Sequence, residues 1–188
     1  VLEIGRADLP RRDNLWAWVK PKRPVSPTRV FEAEGRISAE GQELVPLNEA
    51  MVRDAAKAAL ASGMHAIAVC FLHSFANPAH ERRALEILRE EAPGLALSAS
   101  VDVFPVVREY ERSMATVLNV AVMPAVSTYI AKLEERLKQA SINAPLLLMK
   151  SNGGVAGSAA IRRAPAQTAL SGPAAGVVGA NMVAAAAN

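Results

Sequence analysis

The sequence predicts an α/β fold, a parallel or mixed sheet with flanking helices, on three observations. Residues 66–72, AIAVCFL, form an almost continuous apolar run of strand length, as in a central parallel strand covered on both faces. A helical stretch follows, closed by Pro93 and Gly94, and a strand-like segment at 95–103 then completes a right-handed βαβ crossover. Near the other end, the run 146–149 and, more weakly, 167–170 each lead into a glycine-bearing turn, the second followed by a small-residue helix at 174–187.

Taken in order, residues 1–27 read as loop with a short opening strand, in which Trp16 and Trp18, two apart, either face one side of a strand or anchor a partner surface, with burial in the core the expectation. Residues 29–38 alternate enough to be a strand, and Gly41 marks a hairpin or loop before 44–47. Asn48 caps a helix over 49–62 whose inner face carries Met51, Val52, Ala55 and Ala59, and Gly63 stops it. After the apolar strand, residues 73–81, HSFANPAHE, open the next helix. Asn77 is its N-cap, Pro78 its first helical residue, Glu81 lies in its positive first turn, and His80 faces solvent. Helical spacing returns at 106–121, where Arg108, Glu109, Glu111 and Arg112 form pairs along a solvated face. Pro124 breaks or kinks the pattern before a second amphipathic helix to about Ala140, with Val126, Ile130, Leu133 and Leu137 inward. These two helices are expected outside the sheet. The domain limit falls near 103–105, giving regions 1–103 and 104–188.

Hydrophobic residues make up 51% and charged residues 21%, enough for a sizeable core, and aromatics at 4% leave Ala, Val, Leu and Ile to build it. No unbroken apolar run reaches the roughly 18 residues of a membrane span, and residues 1–23 lack a signal-peptide core, so no membrane partner and a cytoplasmic location are expected. Cys70, the single cysteine, has no intrachain disulfide partner, which fits a reducing compartment. Of the net charge of +3, residues 1–30 hold seven basic and three acidic side chains, a local +4 that leaves −1 elsewhere. The basic residues alternate with prolines and lack a stacking platform, so nucleic acid is not an expected partner.

Two glycine turns at the carboxyl ends of neighbouring parallel strands would lie in the crevice where open α/β sheets bind ligands, their free N–H groups suited to phosphate. This makes Ser151, Asn152, Gly153 and Gly154, and Ser171, Gly172 and Pro173, the candidate nucleotide-binding residues. Ser171 or Gly172 would be the N-cap with Pro173 at the first helical position. Neither turn is a P-loop or a dinucleotide fingerprint, and close packing of helix on sheet explains the glycines equally. His73, His80 and Glu81 invite a metal reading, but HxxxxxxHE matches neither HExxH nor HxxEH, and a helix-capping loop explains it; no metal site is assigned.

LLLMKSNGGV followed by SGPAAGVVGA resembles the hydantoinase A / 5-oxoprolinase family, to which the ATP-binding subunits of some ketone carboxylases also belong. VLEIGR at the start, VCFLHSFANPAHE at 69–81, and REYERS with TVLN at 108–119 are similar to that family's blocks in the same order. The departures are Lys150, where the family commonly has Gln, and Met114 and Ala115, where it has hydroxyl residues. The resemblance implies an actin-like ATPase with ribonuclease H-like halves, 104–188 holding a helical pair and the start of the ATPase domain. It implies ATP and Mg²⁺ as cofactors, and opening of a cyclic amide such as a hydantoin or 5-oxoproline after phosphorylation of a ring carbonyl. A B-type subunit is the implied partner, and a homo-oligomer is left open. His73, Asn77, His80 and Glu81 become a structural block near substrate or a subunit contact, and the catalytic residues stay unassigned. The alternatives are a ketone carboxylase subunit and a non-catalytic docking module. The family's Asp-Gly-Gly-Thr phosphate loops do not occur here, so the chain reads as an internal piece that by itself neither binds ATP tightly nor hydrolyses it.

Overall fold

The computed structural model describes residues 24–187. The expectations for Trp16, Trp18 and the opening strand lie outside the described residues. The chain divides into two compact units, Val1–Val117 and Leu118–Asn188, and α/β it is: small sheets with helices around them.

The first unit opens with a hairpin in which β1 (Arg36–Ile37) pairs antiparallel with β2 (Glu43–Val45). Only two residues of the strand expected over 29–38 are in it: residues 27–29 are a 3₁₀ turn, and the segment between has no partner strand among the described residues. Gly41 turns the hairpin at φ +86°, a conformation that L side chains rarely adopt. Helix α1 (Glu49–Ala61) starts as expected, with Asn48 Oδ1 accepting from the Met51 N–H at 3.3 Å. Its buried face is Val52, Ala56 and Ala59, whereas Met51, expected on that face, is exposed with its sulfur accepting from the Glu34 N–H at 3.4 Å.

The predicted βαβ unit is present. Strand β3 (Ala66–Val69) is followed by helix α2 (Ala79–Glu91) and by strand β4 (Ala96–Ala99), which pairs with β3 in parallel, Ala66 to Ala96 through Val69 to Ala99. Among the described residues the sheet has two strands rather than a broad doubly covered array, and β4 turns into the one-turn helix α3 (Ser100–Val103) instead of running on to 103. Val52 and Ala56 of α1, Val69 of β3, Ala84, Leu85, Ile87 and Leu88 of α2, and Ala99 of β4 form one buried cluster. Each large aliphatic member contributes on the order of 1.5–3 kcal/mol.

Helix α4 (Glu109–Gln139) is one continuous element of 31 residues with Pro124 inside it, not two helices. Proline removes one intrahelical bond, a loss of about 3 kcal/mol, and the buried Val120 and Ile130 on either side of it hold the helix together. The helix also contains an 18-residue window of mean hydropathy 1.5, long and apolar enough to cross a membrane by length and composition, although Ser, Thr and Asn interrupt it so that it holds no unbroken apolar run. Its polar Arg112, Thr116 and Asn119 are fully buried and bonded to protein groups, as in a helix of a folded unit.

In the second unit β5 (Leu147–Met149) pairs antiparallel with β6 (Val155–Gly157), followed by α5 (Ser158–Arg163), a 3₁₀ turn at Pro165–Thr168, and α6 (Ser171–Ala186). Two expectations fail here. Residues 150–154 close a hairpin rather than leading from a parallel strand to a helix, and residues 167–170 are not a strand. Val155-Ala156-Gly157 offers too little apolar bulk to be read as a strand, yet it pairs residue for residue with β5.

Candidate functional site

The turn 150–154 is a self-contained structure. Lys150 N–H donates to the Gly154 carbonyl at 2.7 Å, Gly153 N–H to the Lys150 carbonyl at 3.0 Å, and Gly154 N–H to Asn152 Oδ1 at 3.0 Å. Ser151 points elsewhere: its N–H at 2.7 Å and its hydroxyl at 3.0 Å both donate to the Gln167 carbonyl. Gly153 is required, since its φ is +81° and a Cβ there would stand 3.3 Å from the Val178 side chain. The amides of Lys150, Ser151, Gly153 and Gly154 are therefore spent within the protein, and the turn does not present the row of free donors that a phosphate loop needs. Ser151 instead fixes the segment leading to α6.

That segment ends at Leu170, which adopts the left-handed conformation (φ 60°, ψ 23°) at the N-cap of α6. The expected cap shifts by one residue: Ser171, Gly172 and Pro173 are the first three helical residues, and no side chain caps the helix. Proline within the first turn sacrifices only a donor that the helix leaves unused. The Ser171 and Gly172 amides thus open a 16-residue helix, whose positive end favours anions. A Cβ at Gly172 would meet nothing within 4 Å, so approach to this end is open. Of the two predicted turns, the α6 start is the one with open space before it, and the 150–154 turn is tied through Ser151 to Gln167 in the segment that leads there.

The block 73–81 is built differently. His80 is 3% exposed, not solvent-facing, and its Nε2–H donates to Glu43 Oε1 at 2.7 Å. Asn77 Oδ1 accepts from the Ala79 N–H at 3.0 Å while its amide donates to the Gly41 carbonyl, but the N-cap is Pro78 rather than Asn77 and α2 begins at Ala79, one residue later than expected. His73 sits at φ 57° with Nδ1–H donating to the Ile37 carbonyl at 2.9 Å. Glu81 is fully buried. Its Oε1 accepts from Ser74 at 2.7 Å, Ser100 at 2.6 Å and the Phe71 N–H at 2.8 Å, and its Oε2 from the Val101 N–H at 3.0 Å. A carboxylate with four donors is a structural anchor, and among the described residues no three of His, Cys, Asp and Glu gather where they could hold a metal ion.

Sequence reasoning missed Arg112 and Asn119. Arg112, assigned to a solvated face, is 1% exposed: one Nη donates to Ser74 Oγ, the other to the Phe71 carbonyl at 2.7 Å, and the guanidinium lies 5.9 Å from the Phe75 ring centre. Its partners stand 38 and 41 residues away, so no local pattern could reveal them. Asn119 is fully buried, donating to the Arg163 carbonyl and accepting from the Ala166 N–H, which shapes the 3₁₀ approach to α6. The only signal was an Asn within an otherwise apolar helix stretch. Cys70 is half-buried beside Ser113 and Thr116, and burial pushes its thiol up to about 11.

The chain matches two family models, the hydantoinase/oxoprolinase N-terminal region over residues 1–92 and hydantoinase/oxoprolinase over residues 112–188. It is similar to the caprolactamase subunit alpha of Pseudomonas jessenii, 33% identical over 74% of this chain and 20% of that one, and to a 5-oxoprolinase of Saccharomyces cerevisiae, 31% identical over 79% and 12%. The crystal structure of the ATP-dependent caprolactamase from P. jessenii superposes with a TM-score of 0.73 at 28% identity, over 86% of this chain and 24% of that one. A nucleotide-free acetone carboxylase structure does so with a TM-score of 0.69 at 31% identity, over 80% and 22%. The chain thus spans about a quarter or less of the proteins it resembles.

Proposed function

The chain belongs to the hydantoinase/oxoprolinase family, and from that premise we propose that the protein carrying it is an ATP-dependent hydrolase that opens cyclic amides of the hydantoin or 5-oxoproline type. The observation that supports this most is the likeness to two relatives named for opening ring amides, the caprolactamase and the 5-oxoprolinase, one of them described as ATP-dependent. The finer fold reading, an actin-like ATPase with ribonuclease H-like halves, belongs to the same proposal.

A ring amide is a poor electrophile because its carbonyl is resonance-stabilised. ATP, when bound, would supply the phosphoryl group that turns the carbonyl oxygen into part of a leaving group, with Mg²⁺ held largely by groups beyond the described residues. This chain's share is positioning. The Ser171 and Gly172 amides would receive an anion at the α6 start, the bare Gly172 keeps that approach clear, and Ser151 with Asn119 holds the lead-in at Gln167, Ala166 and Arg163. The 73–81 block acts in the architecture of the first unit and touches no reacting group in this reading. A B-type subunit is the proposed partner, in line with relatives that are themselves named as subunits, and the cytoplasm the proposed location.

A second reading, an ATP-dependent ketone carboxylase subunit, is favoured by the acetone carboxylase likeness. ATP turnover by the intact protein, assayed separately with 5-oxoproline, hydantoin, caprolactam, and acetone plus bicarbonate, decides between them. Ring opening matched by phosphate release supports the hydrolase; turnover only with ketone and bicarbonate replaces it with the carboxylase; turnover with none of them leaves the docking role.

A further inference from the structure

The β1–β2 hairpin has little to hold it by itself. Strands of two and three residues make a marginal ladder, Ile37 is its one buried side chain, and Leu44 is 60% exposed. Three side chains of a single segment reach it: His73 to the carbonyl of Ile37 on β1, Asn77 to the carbonyl of Gly41 at the turn, and His80 to the carboxylate of Glu43 on β2. They span the whole hairpin, one contact on each strand and one between.

The intervening residues of the same segment face the opposite way. Ser74 gives its hydroxyl proton to Glu81 and takes a hydrogen bond from Arg112, so it joins a buried carboxylate and a buried guanidinium that make no direct contact of their own. The hydrogen bonding of Glu81 therefore continues through Ser74 to Arg112 in the first turn of α4. The backbone between the two faces is strained: His73, a non-glycine residue at φ 57°, holds a conformation that persists only where surrounding contacts impose it. Its carbonyl closes the turn by accepting from the N–H groups of Ala76 and Asn77. Losing Arg112 takes away the donor that holds Ser74 Oγ and the Phe71 carbonyl in place, and the segment responds by releasing that turn.

We propose that residues 73–81 are a two-sided clasp coupling α4 to the β1–β2 hairpin, so that Arg112 governs how often the hairpin opens although it touches none of it. The test is hydrogen exchange by mass spectrometry on the intact protein, reading peptides over 36–45 and, as internal reference, α1 at 49–61. In Arg112→Leu the hairpin is expected to exchange about tenfold faster with α1 within about twofold of the wild type. Ser74→Ala, which removes only the joining hydroxyl, gives the same selective effect and carries the test if Arg112→Leu does not fold. In His80→Ala combined with Ser74→Ala, hairpin exchange is no faster than in the faster single variant, because both act on one coupled element. An unchanged hairpin in the folded variants, equal loosening of hairpin and α1, or effects that multiply in the double variant would each overturn the clasp.

Discussion

The two units spend their polar residues in opposite ways. In the first, the residues that look most like chemistry, His73, His80 and Glu81, are consumed by structure: the histidines hold a hairpin and the carboxylate accepts four hydrogen bonds at zero exposure. In the second, α6 buries none of its residues, and Val177, Met182 and Val183 are 71%, 68% and 72% exposed. Its opening amides have no side-chain cap and its Gly172 stands in open space. A polar residue with every partner inside its own unit reports on folding. One with open space before it is free to meet a ligand.

The comparison is broken or sharpened most by Glu81→Ala, which strands the buried donors of Ser74, Ser100, Phe71 and Val101 that its carboxylate accepts; we expect a loss of about 3 kcal/mol or more in denaturant unfolding. A loss under about 1 kcal/mol would show that the first unit does not depend on its buried charges. Next is Cys70, whose folded-state thiol lies above its unfolded value of 9.0, at about 11. A raised pKa means stability intact below pH 9 and lost as pH climbs toward 11, by about 2–3 kcal/mol. Urea midpoints of the wild type and Cys70→Ala measured at pH 8 and pH 11 isolate it, the decline being absent from the variant.

In the second unit, Asn119→Ala strands the Arg163 carbonyl and Ala166 N–H and is expected to remove about 1–3 kcal/mol. Chemical denaturation measures it, and ATP turnover at a temperature where the variant stays folded shows whether the α6 lead-in moves with it. Gly153→Ala forces a left-handed residue against Val178 at 3.3 Å, for a loss of about 1 kcal/mol by melting. The smallest effect on folding belongs to Gly172→Val, within about 0.5 kcal/mol because its Cβ meets nothing. The same variant is expected to lower ATP-dependent turnover at least tenfold. Normal specific activity would remove the α6 start from the site and leave the buried cluster of the first unit untouched.

Elements bounded by local chemistry were legible. Asn48 and Gly63 bracket α1, Gly41 turns the first hairpin, and the apolar run before HSFANPAHE is the first strand of a parallel βαβ pair. The β5–β6 hairpin was not, since Val155-Ala156-Gly157 is strand only by virtue of its partner. The start of α6 was read to within one residue, whereas the phosphate role given to 150–154 rested on a parallel-strand topology that the chain does not adopt.

What the sequence by itself determined is whatever a few neighbouring residues decide: caps, glycine turns, helical period, and the ordered blocks that place the chain in its family. Only the tertiary structure decided which charges are buried. Arg112 and Glu109 stand side by side on one helix with the same local pattern, yet Arg112 is 1% exposed and Glu109 31% by side chain. The difference lies in a serine and a carbonyl some 40 residues away, about 38 and 41 along the chain. Desolvating a guanidinium is tolerable only where such acceptors converge on it, and that convergence is a property of the folded core rather than of any stretch of sequence.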